Sequence, residues 1–292
     1  MIATKAAAPT RPAPAPAGAG LSPAAFEYVR VLVLERAAIV LDAGKTYLVE
    51  SRLLPIARAE GCSTVNALTE RMRAQPYGRL HTMVVEAMTT NETSWFRDHT
   101  PFDALREHVL PQIIDARSKE RKLHIWSAAC STGQEPYSIA MILADHFPQL
   151  AGWDVTIFAS DLASTVLDQA RSGVFSQMEV NRGLPAAMLV KHFHRNGTHW
   201  KVSNDIRDRV RFGTVNLAAP WPALPPMDIV FLRNVMIYFD STTKRDILNK
   251  VKRVLRHDGV LFLGTAETTL HLDETFQRQQ FGQASCYRHV PR

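Results

Sequence analysis

LHIWSAACSTGQEPYSIAMILADH, residues 123–146, changes its hydrophobic period part-way along, and that change decides the fold class. Residues 123–127 form a short apolar run of β type, residues 128–134 are small or polar with one glycine, and from Glu135 to His146 apolar side chains recur at helical spacing. A strand that runs through a tight loop straight into a helix is the first half of a strand–helix–strand crossover. Its repetition builds a mostly parallel sheet.

The pattern does repeat. Strands are predicted at 155–160, 210–215, 228–232 and 260–263, with helices at 163–171 and 242–256. The last helix is expected to stop at His257-Asp258-Gly259, because glycine accepts the left-handed turn that ends helices. A final strand at 285–289 is expected to be antiparallel. Residues 174–208 interrupt the alternation and contain THWKVS (198–203), a candidate hairpin inserted into the sheet domain.

Upstream, apolar residues at helical spacing, such as Phe26, Val29, Leu32 and Leu34 or Leu68 and Met72, predict a small all-helical domain over 21–89. Helix starts are marked by Ser22-Pro23 and Ser63-Thr64. Residues 1–20, nearly all Ala, Pro and Gly, cannot bury enough apolar surface to offset ordering and are expected to be a disordered tail. The expected organisation is therefore tail 1–20, all-α domain 21–89, linker 90–100 and α/β domain 101–292 with a β-subdomain near 174–208.

Composition narrows the classes. At 292 residues and 46% hydrophobic, the chain suits two modest cores. Thirty-four Lys+Arg against 28 Asp+Glu leave +6, too mild an excess over this length to mark a nucleic-acid binder. Three widely spaced cysteines, Cys62, Cys130 and Cys286, match neither a disulfide framework nor a metal site, and His192, His194 and His199 show no metal spacing. No run is long enough to span a membrane, and the first twenty residues lack the apolar core of a signal peptide. A soluble cytoplasmic protein without membrane insertion is expected.

In an open parallel sheet, ligands bind beyond the carboxyl ends of the strands. The loop after residue 127 has neither the three-glycine dinucleotide spacing nor a Gly-Lys-Ser/Thr phosphate loop, which disfavours pyrophosphates but leaves an adenosyl ligand open. Asp161, ending the second strand, suits a pair of ribose hydroxyls, and equally a helix cap. Asn216-Leu217, after the third, could read and sandwich an adenine edge, or simply make a turn. Arg233, Asn234 and Tyr238, after the fourth, are hard to justify by packing, since buried polar groups need partners.

These segments resemble the CheR family of chemoreceptor glutamate methyltransferases. The resemblance is carried by MTTNETSWFR (88–97), by 126–137, 158–161 and 215–217, and by 231–240, in that order. It implies a Rossmann-like class I methyltransferase α/β fold with an inserted β-subdomain, preceded by a small all-α domain. It implies S-adenosylmethionine as cofactor, with S-adenosylhomocysteine as product. The cofactor contacts it carries over are Asn91, Thr93, Arg97, Glu135, Asp161, Asn216, Leu217, Arg233 and Asn234. Asp161 would hold the ribose, Glu135 the methionine end, and Asn216-Leu217 the adenine. The family typically has a glutamate where Gln134 stands, so no charged role is carried over there.

The acceptor would be a glutamate side chain on the cytoplasmic helical domain of a chemoreceptor. Already ionised at neutral pH, it needs no general base, so Arg97 and Tyr238 are expected to bracket and orient it. Lys45 and Arg52, seven residues apart on one expected helix face, are candidate docking cations, although a solvated face is the commoner fate of such residues. In some family members the β-subdomain binds a receptor's C-terminal pentapeptide by strand addition. Here residues 195–200 look shorter than the glycine-rich loop of those members, so peptide tethering is not expected. Two rival classes differ in what they need. A methyltransferase of nucleic-acid bases would carry an Asp/Asn-Pro-Pro-aromatic motif where Arg233-Asn234-Val235-Met236 stands, and a non-catalytic signalling module would bind the cofactor, or merely the receptor, without transferring methyl groups, a reading the intact motifs argue against.

Overall fold

The computed structural model describes residues 20–290, so nearly all of the expected disordered tail lies outside the described residues. The described chain divides into two compact units.

The first unit comprises the described residues through Val33 together with Leu41–Met88. Its helices are Thr46–Ala59, Val65–Arg73, Arg79–Ala87 and most of Pro23–Ala37. Ser22 Oγ accepts the Ala25 N–H at 3.2 Å and Thr64 Oγ1 accepts the Ala67 N–H at 3.1 Å, each satisfying an otherwise orphaned first-turn donor. Val29, Val33, Val49, Leu53, Leu68, Met72 and Val84 are buried in full or nearly so. Removing such a side chain from water stabilises by roughly 1.5–3 kcal/mol, which is what holds so small a helical unit together.

The second unit takes Leu34–Val40 as well as the described residues from Thr89 onward. Those seven residues were expected to belong with the helical domain. Leu34, one of the residues at helical spacing, is 38% exposed.

The second unit is built on ten strands: β1 Lys122–Ala128, β2 Asp154–Asp161, β3 Val174–Phe175, β4 Phe193–Asn196, β5 His199–Val202, β6 Val210–Thr214, β7 Met227–Leu232, β8 Leu255–Leu263, β9 Phe276–Phe281 and β10 Ala284–His289. Seven form one sheet in the order β6-β2-β1-β7-β8-β10-β9. The first five in that order are parallel, while β10 pairs antiparallel with both β8 and β9. The chain leaves β1 toward β2 on one side and later returns to place β7 on the other. The carboxyl ends of β1 and β7 therefore flank the topological switch, where crossover loops diverge and leave a cleft. All six residues of β7 are buried, as expected of a central parallel strand covered on both faces.

Gly133, at φ +95°, starts helix Gln134–His146, and a Cβ there would lie 3.0 Å from the Ala170 side chain. Both backbone and space require glycine at this turn.

Three expectations fail in detail. The helix expected over 242–256 runs from Ser241 to Val254 and stops without glycine. Leu255 turns extended to pair with Met227, and Gly259 lies inside β8, where a Cβ would meet Leu255 Cδ1 at 2.8 Å. Its role is close approach within an irregular register, not helix termination. Residues 198–203 hold not a hairpin of their own but the single strand β5, which pairs with β4 and β3 in a three-stranded sheet, order β3-β5-β4. Strand β9 was not foreseen at all.

Candidate active site

The cleft at the switch holds about 880 Å³ of open space, its mouth included. Its walls come from the loops after β1, β2, β6 and β7, from residues 89–97, and from Ala37 and Ile39. Asn91, Thr93, Arg97, Glu135, Asp161, Asn216, Leu217, Arg233, Asn234 and Tyr238 all line this one cleft. Residues as far apart in the chain as Asn91 and Tyr238 meet because each sits at the carboxyl edge of the same sheet or crosses it.

Arg233 organises the β1–β7 side. With its side chain 1% exposed, it donates from Nη1 to Glu135 Oε2 at 2.9 Å and from Nη2 to Asp98 Oδ2 at 2.8 Å and the Arg97 carbonyl at 2.9 Å. Glu135 Oε1 accepts from Ser127 Oγ at 2.8 Å, and Asp98 also accepts from Thr265 Oγ1 at 2.9 Å. Arg233 thus ties the 89–97 wall to the first loop through charge-assisted bonds in a nearly dry setting. On the β2 side, buried Asp161 accepts the N–H groups of Ser131 at 2.8 Å and Ala163 at 3.1 Å, bracing the β1 and β2 loops. The N-cap position of the next helix, Ser164–Ser172, is Ala163.

Asn216 departs from the expected picture. Its Nδ2 donates to the Arg36 carbonyl at 2.6 Å and its Oδ1 accepts the Ala218 N–H at 3.0 Å, a turn bond of the kind asparagine favours. The side-chain amide fastens the 34–40 segment instead of standing free to read a ring edge. A second bond, Val40 N–H to the Tyr238 carbonyl at 3.0 Å, fastens the same segment to the β7 loop. Arg97 donates to the Glu92 carbonyl at 3.1 Å, and Asn91 presents its carbonyl to Ser131 Oγ at 2.7 Å.

Backbone strain concentrates here. Ala38, Phe96, Asp98, His99, Ala129, Ser131 and Asn234 all have left-handed φ between +46° and +68°, leaving only Arg121 and His271 elsewhere among described non-glycine residues. Such conformations cost about 1–3 kcal/mol each and persist where surroundings over-determine them, commonly at functional sites. Sequence reasoning missed Ala37, Ile39, Asp98 and Ser131; Ala37 and Ile39 belong to no residue class that announces a site, and Asp98 does not follow a strand.

Residues 91–284 match the family described as CheR methyltransferase, SAM binding domain, and residues 24–89 match CheR methyltransferase, all-alpha domain. The chain belongs to the CheR methyltransferase family.

Among its relatives, Chemotaxis protein methyltransferase 1 of Pseudomonas aeruginosa is 42% identical over 90% of this chain and 97% of its own. Chemotaxis protein methyltransferase Cher2 of Pseudomonas putida is 39% identical over the same shares, and the Chemotaxis protein methyltransferase of Escherichia coli is 37% identical over 88% of each. As a CheR methyltransferase, the chain uses S-adenosylmethionine, and the donor set fits that group. Carboxylates Glu135 and Asp161 suit an ammonium and hydroxyl groups, while Ala37, Ile39, Val215, Leu217 and Phe239 give apolar wall to a flat ring.

The expected docking cations lie in the first unit. Lys45 closes a 3-10 turn, Ala43–Lys45, ahead of helix Thr46–Ala59 and pairs with Asp42 at 3.2 Å. Arg52, within that helix, donates to the Met88 carbonyl at 2.9 Å. They are not two residues of one regular helix, which weakens the shared-face argument. No described helix is long and apolar enough to cross a membrane.

Proposed function

We propose that this CheR methyltransferase esterifies glutamate side chains on the cytoplasmic helical domain of chemoreceptors, and does so in the cytoplasm. One observation carries the choice of acceptor. Every acidic side chain lining the cleft is already engaged: Glu135 by Ser127 and Arg233, Asp161 by two backbone amides, and Glu92 by Arg182 at 2.8 Å. Among the described residues no histidine or lysine lines it. Cys130 does, but burial holds its thiol well above the usual range and therefore neutral. A cleft whose carboxylates all have partners, and which no histidine or lysine lines, suits an acceptor with no proton to lose. A carboxylate qualifies at neutral pH, whereas a hydroxyl or ammonium does not.

Bound S-adenosylmethionine supplies an electrophilic methyl group carried on a sulfonium. The protein's part is placement. Glu135, Asp161, Asn91 and Thr93 would hold the cofactor, with Leu217 against its ring, and Arg233 would act chiefly by fixing Glu135. Arg97 and Tyr238 would bracket the incoming glutamate. Because the acceptor loses charge during transfer, a cation gripping it tightly would stabilise the starting state more than the transition state. Arg97, already donating to the Glu92 carbonyl, is suited to orient without gripping. Alignment at about 3–3.5 Å would supply most of the acceleration. Lys45 and Arg52 remain candidates for docking the acidic receptor helix.

The test is transfer of a labelled methyl group from S-adenosylmethionine to a purified receptor cytoplasmic fragment. Label that is released by mild base and disappears when the fragment's acceptor glutamates become alanine is the expected result. Base-stable label, or label indifferent to those replacements, rules the acceptor out.

A further inference from the structure

Glu267 does not line the cleft, and the chemistry above makes no use of it. Its carboxylate nevertheless makes four bonds to backbone amides. Oε2 accepts the N–H groups of Asn234 and Gly264, both at 2.7 Å, and Oε1 accepts those of Met236 at 2.7 Å and Val235 at 2.9 Å. An ionised carboxylate offers about four lone-pair positions, so this buried one is saturated. Three of the four donors are consecutive residues of the loop after β7. Consecutive amides converge on one side only when the backbone folds into a concave nest, and the left-handed φ of Asn234, +58°, makes that fold.

The loop so held carries chemistry at both ends. Arg233 precedes it in the ion cluster with Glu135, Asn234 lines the cofactor cleft, and Tyr238 ends the 3-10 turn Met236–Tyr238 that lines the same cleft. Gly264 is needed for the arrangement to close. A Cβ there would sit 2.7 Å from Glu267 Oε2 and 2.8 Å from both Asn234 N and Nδ2. Glutamine could not take the place of Glu267. An amide has one acceptor oxygen where two are used, and its NH₂ would face amide donors.

We propose that Glu267 is a positioning residue for methyl transfer: from behind the cleft, it aligns Asn234 with the cofactor and Tyr238 with the acceptor by clamping the loop between them. The Tyr238 half rests on the function proposed above.

The test compares full-length Glu267→Gln, Tyr238→Phe and the double variant for kcat at saturating S-adenosylmethionine, for S-adenosylhomocysteine affinity and for thermal midpoint. Glu267→Gln is expected to lower kcat roughly ten- to a hundredfold, the scale of a displacement near 1 Å. The double variant should be no slower than the slower single one, because Glu267 acts through the residue already lost. An unchanged kcat in folded Glu267→Gln overturns the proposal, as do independent, multiplying losses, which are the mark of a general stabiliser. Should Glu267→Gln not fold, Gly264→Ala decides in its place, displacing the carboxylate while keeping its charge, with the same two outcomes. A wild-type rate in Tyr238→Phe refutes the acceptor role of that tyrosine alone. The clamp is then judged by the same cycle with Asn234→Ala, read in cofactor affinity.

Discussion

Strand β7 has a buried arginine cluster at each end, and the two are nearly identical in composition. At its amino end, Arg117 donates from Nε to Asp228 at 2.7 Å and from both terminal nitrogens to Asp258 at 2.5 and 2.9 Å, while Asp228 also accepts the His124 N–H at 2.8 Å. Past its carboxyl end, Arg233 bridges Glu135 and Asp98. Each sets a buried arginine between two carboxylates, the first with Arg256 also 3.4 Å from Asp228, and it is the second that borders the cleft described above. Arg117 is saturated at all three nitrogens, whereas Arg233 Nε, like Arg256 Nε beside Asp228, is buried without a hydrogen-bond partner among the described residues. Around Arg233 lie Asp98, Ala129, Ser131 and Asn234 in left-handed conformations, and near Arg117 only Arg121. A buried ion cluster is therefore weak evidence of function by itself. Open space and strained backbone beside it make the difference.

Substitution should separate the two ends. Arg117→Met takes from the fully buried Asp228 its nearest cation, leaving only Arg256 at 3.4 Å, and should cost about 3 kcal/mol of stability in denaturant titration. The kcat of the folded fraction should not change. A loss of kcat there would erase the distinction.

At the other end, Arg233→Met should reduce kcat/KM by about a hundredfold, since Glu135 and the Arg97–Asp98 backbone lose a common anchor. A loss of stability with turnover intact would assign this cluster to the scaffold as well.

The smallest effect is on pH. The hydrogen bond from Arg117 holds Asp258 below the usual carboxylate range, against the opposing pull of burial. A depressed folded pKa adds stability that is complete above the unfolded value and lost as pH falls through the folded one. Stability should thus decline with acid below about pH 4, and Asp258→Asn should flatten that decline. An unchanged slope would mean the Asp258 arm of the cluster is idle.

What could be read in the chain and what could not divide along physical lines. Strands β1, β2, β7 and β8 were visible because each lies inside the sheet and buries a run of apolar side chains, which is local information. The polar edge strand β9, FQRQQF, buries only its first residue well, so it leaves no hydrophobic pattern to detect. Gly259 misled because a glycine after a helical run usually ends a helix. Pairing of Leu255 with Met227, decided across the sheet, ended it earlier.

The site divides in the same way. Asn91, Glu135, Asp161, Arg233 and Tyr238 could be singled out from strand ends and from motifs, since topology sends strand ends to one edge. The identity of residue types was enough to name them. Which of their atoms stay free was not in the chain to be read. That the amide of Asn216 fastens Arg36, that Leu34–Val40 closes one wall, that Glu267 gathers four amides, and that ordinary residues such as Phe96 and Ala129 take left-handed turns all depend on partners distant in sequence. Local preference argues against several of these arrangements. They hold because the packed sheet supplies hydrogen bonds and contacts that outweigh it, and those exist only once the chain has closed on itself.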